Sequence, residues 1–179
     1  MGLICCADGG TSLEQWQPGG LLFDNAIYKA RLAQRTSTVA GVLWHQGEAD
    51  CDETLYPTYQ KRFEPILKAL RQEPYLQDVP ILLGGLGDYL KDCTLSDNLK
   101  NYPQVNKALI EIASTHKQVG FVSAKGLTAN PDQLHFNAAS LYEFGIRYFN
   151  EYEKQKDPHK LFCEKPDQDS AVRTAMELL

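Results

Sequence analysis

Residues 40–50 read A-G-V-L-W-H-Q-G-E-A-D, an apolar run that ends abruptly in a polar, glycine-containing loop. Residues 40–44 are nearly continuously apolar, which is typical of a strand covered on both faces of a parallel sheet. Three further runs share this pattern, at residues 3–7, 80–84 and 119–124. Glycine or polar turn residues bound each run, so the sequence predicts four buried strands.

Amphipathic helical patterns follow the predicted strands. Their apolar residues recur three or four positions apart. These patterns cover residues 22–33, 56–70, 105–113 and 141–152. Asn137 is the predicted N-cap of the last one. Because strand and helix alternate four times, the sequence predicts an α/β domain with a mostly parallel sheet.

Composition fits one globular domain. The chain has 179 residues, 43% of them hydrophobic, and 18 Lys+Arg against 23 Asp+Glu give a net charge of −5. This balance excludes a disordered chain. No apolar run reaches the ~18–20 residues of a membrane span, and there is no basic stripe, so neither a membrane nor a nucleic acid is an expected partner.

The cysteines favour a reducing, cytoplasmic compartment. There are five of them, an odd number, and none has zinc-like spacing. Cys5 and Cys6 lie inside the first apolar run and are predicted to be buried in its strand. An export signal ahead of Met1 stays an alternative, and the sequence does not address the oligomeric state.

Polar residues follow the predicted strands, at the sheet edge where α/β proteins bind ligands. After the first run, Gly9 and Gly10 permit a tight turn whose N–H groups could hold a phosphate or an oxyanion. The third glycine of a dinucleotide fingerprint is absent, and a plain strand-to-helix turn is the alternative. Ser12 lacks the G-x-S-x-G context of a nucleophile and is predicted to be a helix cap.

The loop after residues 40–44 holds the least common string of the chain. The Gln46 amide could donate an N–H group to a developing oxyanion. His45, Glu48 and Asp50 resemble a metal cluster, but consecutive residues at a strand end point in different directions, so we expect no metal. A buried polar network that holds the loops is the alternative interpretation.

Asp132 and His135 form a D-x-x-H pair just before the last predicted helix. A carboxylate three residues ahead of a histidine can accept its Nδ1–H and stabilise the imidazolium formed in base catalysis. A helix-entry aspartate with a surface histidine is the alternative.

Together these strings resemble the carbohydrate-esterase branch of the SGNH hydrolases, which includes sialate O-acetylesterase-like proteins and acetylxylan esterases of carbohydrate esterase family 6. Residues 2–16 resemble the second block of the family. Residues 41–50 resemble its W-x-Q-G-E-S-D block, with Ala49 in place of the usual serine. Residues 132–135 match its final D-x-x-H motif.

The resemblance implies a three-layer α/β/α, flavodoxin-like SGNH hydrolase fold and hydrolysis of acetyl esters on sugars by a Ser-His-Asp mechanism without a cofactor. It implies the site roles as follows: His135 as general base, Asp132 as its partner, Gly10 and Gln46 as oxyanion donors, and Trp16, Trp44 and Glu48 around the substrate pocket.

The nucleophile of the family is a serine in a G-Q-S-N segment, and the chain has no such segment. We therefore expect an N-terminally truncated esterase domain over residues 1–155, followed by a tail with a short helix over residues 156–179. In a 2-1-3-4-5 strand order the absent strand would lie between runs 3–7 and 40–44. The alternative function is a catalytically inactive carbohydrate-binding or interaction protein; a nucleotide-binding domain is disfavoured by the missing phosphate loop.

Overall fold

The computed structural model describes residues 2–156 and contains a three-stranded parallel sheet. The strands are β1 (Val42–Trp44), β2 (Ile81–Gly84) and β3 (Val119–Val122). They follow one another in the order β1-β2-β3, and both neighbouring pairs are parallel. Three of the four predicted strands and the parallel sheet are thereby confirmed.

Four helices form around the sheet, as the apolar periodicity predicts. They are α1 (Leu21–Ala33), α2 (Tyr59–Gln72), α3 (Tyr102–Thr115) and α4 (Ala138–Lys156). Within residues 2–156, none of them has the length and hydropathy that a membrane crossing requires. Residues 157–179, which make up nearly all of the predicted tail with its short helix, lie outside the described residues.

The helices form two layers because side chains alternate across the pleat of each strand. Ile81 and Leu83 of β2 enter the larger core with residues of α1, α2 and α3. Leu82 enters a smaller core on the opposite face with Phe144 of α4. The protein is therefore an α/β/α sandwich, in agreement with the predicted fold class.

The prediction of a strand over residues 3–7 is wrong. This segment forms no ladder; Leu3 is 79% exposed, Ile4 is 43% exposed and Cys5 is also exposed. A strand needs a neighbour for its backbone groups, and in residues 2–156 the free edge of β1 has no strand beside it. An apolar composition alone therefore does not bury this segment, and the prediction that Cys5 is buried fails with it.

A buried ion pair connects the loop after β1 to helix α2. Asp50 ends the 3₁₀ helix Glu48–Asp50 and is fully buried. Its Oδ2 accepts the backbone N–H of Leu13 at 2.9 Å, and its Oδ1 lies 2.6 Å from Nη1 of Arg62 on α2. One carboxylate thus joins three parts of the chain.

Replacing Arg62 with methionine should reduce the free energy of unfolding by about 3–5 kcal/mol, because Asp50 would stay buried without its countercharge. Urea denaturation measures the loss. Arg31→Met is the matched control: Arg31 pairs with Glu73 at 2.6 Å but is 63% exposed, so its removal should change stability little. Equal losses in the two variants would contradict the importance of the buried pair.

Candidate active site

The loop after β1 touches the two other segments predicted to form the site. The Gln46 side-chain Nε2 donates a hydrogen bond to the Thr11 carbonyl at 3.0 Å, next to the Gly10 turn. The His45 ring packs on the Phe136 ring, with centroids 5.6 Å apart, next to His135. The carboxyl end of β1 therefore lies between the Gly10 turn and the D-x-x-H loop.

Asp132 and His135 form the predicted pair. Nδ1 of His135 lies 2.9 Å from Oδ2 of Asp132. A carboxylate only accepts hydrogen bonds, so the contact places the imidazole proton on Nδ1. Nε2 has no partner among residues 2–156, and the side chain of His135 is 71% exposed. The pair thus leaves one ring nitrogen of His135 open to solvent.

Backbone donors hold the Asp132 carboxylate in place. Its Oδ1 accepts the N–H of His135 at 3.0 Å and that of Leu134 at 2.9 Å. The backbone N–H of His135 is the main cause that lowers the pKa of Asp132 to about 2, followed by the His135 side chain and the Leu134 N–H. Asp132 therefore remains a carboxylate at any pH near neutrality.

The D-x-x-H loop is closed by its own backbone. The Asn130 N–H donates to the His135 carbonyl at 2.8 Å, and Ala129 and Phe136 form an antiparallel bridge. Asn137 then starts α4, since its Oδ1 accepts the N–H of Ser140 at 2.9 Å. This confirms the predicted N-cap and fixes where the D-x-x-H loop ends.

Gly10 occupies a turn that suits an anion. Its φ of +74° is in the left-handed region that favours glycine, and a Cβ there would meet open space. Its N–H has no acceptor in the described part of the chain. Ser12 caps the 3₁₀ helix Leu13–Trp16, and its N–H donates to Gln15 Oε1 at 3.0 Å, which confirms the predicted cap.

Gln46 is buried and its amide is fully engaged. Besides the Thr11 carbonyl, Nε2 donates to Asp50 Oδ2 at 2.6 Å, while Oε1 accepts the Tyr59 hydroxyl at 3.1 Å. Turning the amide over would place its oxygen against a carbonyl and a carboxylate, so the orientation is fixed. Both N–H groups of Gln46 therefore hold protein atoms in this structure.

The two tryptophans lie in the core behind the turn. The rings of Trp16 and Trp44 meet edge to face with centroids 5.4 Å apart, and each side chain is buried. The Trp16 Nε1–H donates to Thr11 Oγ1 at 2.9 Å. The indoles thus support the Gly10 turn from inside the protein.

Glu48 faces His45, with Oε1 3.6 Å from the imidazole Nε2. Burial raises the pKa of Glu48, but the nearby His45 ring and the backbone N–H groups of Gly47 and Glu48 together outweigh burial and lower the pKa overall. Across the described residues, no three His, Cys, Asp or Glu side chains gather as a metal site requires.

Tyr148 makes a contact at the end of β1 that sequence reasoning missed. It lies in the apolar stripe of α4, yet its hydroxyl donates to the Trp44 carbonyl at 3.1 Å. A Cβ on Gly84 would collide with this hydroxyl and crowd His45. The sequence offers no signal for the contact, because it joins residues more than a hundred positions apart.

Comparison with known proteins identifies the family. The sequence model of the family "Carbohydrate esterase, sialic acid-specific acetylesterase" matches residues 1–154. The chain is 26% identical over 160 residues to the probable carbohydrate esterase At4g34215 of Arabidopsis thaliana, an alignment that covers 85% of this chain and 55% of the relative. The chain thus spans little more than half the length of that relative.

The crystal structure of the Arabidopsis thaliana protein AT4G34215 has a similar fold, with a TM-score of 0.73 at 23% identity. The superposition covers 85% of this chain and 59% of the other. This likeness confirms the α/β fold, and the family match extends over most of the chain. The chain therefore belongs to the carbohydrate esterase family described as sialic acid-specific acetylesterases.

Proposed function

We propose that the chain carries the histidine side of a carbohydrate O-acetylesterase site, which cleaves acetyl esters on sugars by a Ser-His-Asp mechanism. The observation that carries the proposal is the Asp132–His135 hydrogen bond of 2.9 Å. It orients an exposed imidazole nitrogen in a member of an esterase family, and the loop after β1 contacts both the D-x-x-H loop and the segment next to Gly10.

In the proposed reaction, Nε2 of His135 takes the proton of a serine hydroxyl while the serine oxygen attacks the acetyl carbonyl carbon. Asp132 stabilises the imidazolium. The proton then moves to the sugar oxygen as the C–O bond to the sugar breaks, leaving an acetylated serine. Water, deprotonated by the same imidazole, attacks this ester and releases acetate. In this proposal the serine belongs to a G-Q-S-N segment, which the 179 residues do not contain.

The carbonyl oxygen becomes negatively charged in both steps. We assign its stabilisation to the free N–H of Gly10, with Gln46 as the second candidate donor. In the structure Gln46 acts on the turn through the Thr11 carbonyl, so a direct bond to substrate requires it to exchange that partner. Trp16, Trp44 and Glu48 shape the site from behind.

A catalytically inactive carbohydrate-binding protein is the second candidate function, and the missing G-Q-S-N segment favours it. The genomic DNA upstream of Met1 distinguishes the two. An in-frame G-Q-S-N segment supports the esterase, and its absence supports the binding protein.

Replacing His135 with alanine should slow acetate release by the full gene product about a million-fold, the order expected when the histidine of a Ser-His-Asp triad is removed. Release of acetate from acetylated xylo-oligosaccharides and acetylated sialic acid is the measurement. His116→Ala is the control, because His116 lies near the end of α3, beside Glu64. Undiminished turnover in His135→Ala would overturn the proposal.

The Asp132 carboxyl should titrate with a midpoint of about 2, below its ordinary value of 3.8. A depressed pKa stabilises the folded loop above pH ~4, and this contribution is lost as the pH falls toward 2. Carboxyl ¹³C chemical shifts measure the midpoint. In His135→Ala the midpoint should rise only in part, because the backbone N–H at position 135 remains. An Asp132 midpoint near 3.8 in the wild-type protein would contradict this prediction.

A further inference from the structure

We infer that the sugar recognised by this site is electrically neutral and binds in a cavity beside the D-x-x-H loop, so that acetylated neutral sugars are preferred over acetylated sialic acids. The inference rests on the proposed function and narrows its substrate class. It rests on where the cavity lies, which residues line it and what charge those residues have.

The cavity has a volume of about 390 Å³. This is near the lower end of the ~300–1,000 Å³ of small-ligand pockets, so it suits one or two sugar rings rather than a polymer cross-section. Its walls come from a 3₁₀ helix and from the D-x-x-H loop. The lining residues are Tyr89, Asp92, Ala129, Asn130, Pro131 and Gln133. Pro131 and Gln133 flank Asp132 in the sequence, so the cavity borders the loop that carries the proposed catalytic pair.

Tyr89 forms a fixed aromatic wall. Its ring meets the Phe136 ring edge to face, with centroids 5.2 Å apart. A Cβ on Gly87 would collide with the ring, so the ring lies tightly over the Gly87 backbone. A pyranose has one face of C–H groups, and a rigid aromatic surface can pack against such a face. The aromatic ring is thus preorganised for a sugar.

Polar groups surround this aromatic wall. Asn130 Nδ2 donates to the Phe136 carbonyl at 3.2 Å, which fixes the amide of Asn130 in the wall. The thiol of Cys93, just after the 3₁₀ helix Asp88–Asp92, lies 4.0 Å from the Asp132 carbonyl and joins the two walls. An aromatic surface with amide and carboxylate groups around it can pack on a sugar ring and bind its hydroxyls.

The charge of the cavity selects against an acidic sugar. Asp92 is the charged residue among the six lining residues, and no lysine, arginine or histidine is among them. Asp92 has no ion-pair partner within residues 2–156. Its carboxylate can accept sugar hydroxyls, whereas the carboxylate of a sialic acid would meet a like charge without a countercharge.

The test is a binding titration on the 179-residue chain itself, followed by NMR chemical shifts. The two ligands are an acetylated xylo-oligosaccharide and 9-O-acetyl-N-acetylneuraminic acid. We expect the neutral ligand to bind at least ten-fold more tightly. Asp92→Asn should reduce this ratio at least three-fold, while Asp78→Asn, the same charge change at the exposed approach to β2, should leave it unchanged. A sialic acid that binds as well as the neutral ligand, or a ratio unaffected by Asp92→Asn, would overturn the inference.

Two further variants test the site against a folding defect. Tyr89→Phe should keep the affinity for the neutral ligand, and Tyr89→Ala should lower it at least ten-fold with an unchanged circular dichroism spectrum. His135→Ala should bind like the wild type. Undiminished hydrolysis in His135→Ala, with intact neutral-sugar binding, would therefore reject the esterase proposal alone, whereas retained affinity in Tyr89→Ala would reject the cavity.

Discussion

The site depends on the ion pair and hydrogen bonds of the buried Asp50 carboxylate. It is fully buried, and a charge in that position is tolerated only with a countercharge and hydrogen-bond donors around it. Arg62, the Leu13 N–H and the Gln46 amide provide them. Since Gln46 also binds the Thr11 carbonyl, the position of the Gly10 turn follows from a charge pair in the core. The core beneath the Gly10 turn thus fixes the position of this turn.

Much of the fold could be predicted from the sequence because helix periodicity and buried strands are local patterns. Three strands and four helices formed near the predicted positions. The strand prediction for residues 3–7 failed because the hydrophobicity of a segment does not show whether another strand is available to pair with it. A strand forms only where a neighbouring backbone completes its hydrogen bonds, and no neighbouring strand occupies that side of β1 in residues 2–156. This information is not contained in the segment itself.

The candidate site likewise contains contacts that the sequence predicts and contacts that it does not. The Asp132–His135 contact spans three residues and could be read from a turn-forming spacing. The partners of Gln46 could not, because Thr11 lies 35 positions away and Tyr59 lies 13 positions away. The sequence left an oxyanion donor and a buried network as alternatives for this loop. In the structure Gln46 and Asp50 form such a network, while the role of Gln46 toward the substrate stays a proposal.

The Tyr148–Trp44 hydrogen bond has a consequence for how the protein folds. It closes a loop of 104 residues between β1 and α4. Contacts of such long sequence separation form late, because the chain entropy of a large loop must be lost before they contribute. During synthesis the end of β1 leaves the ribosome long before its partner on α4 exists. The carboxyl edge of the sheet therefore acquires its final shape only after α4 has docked.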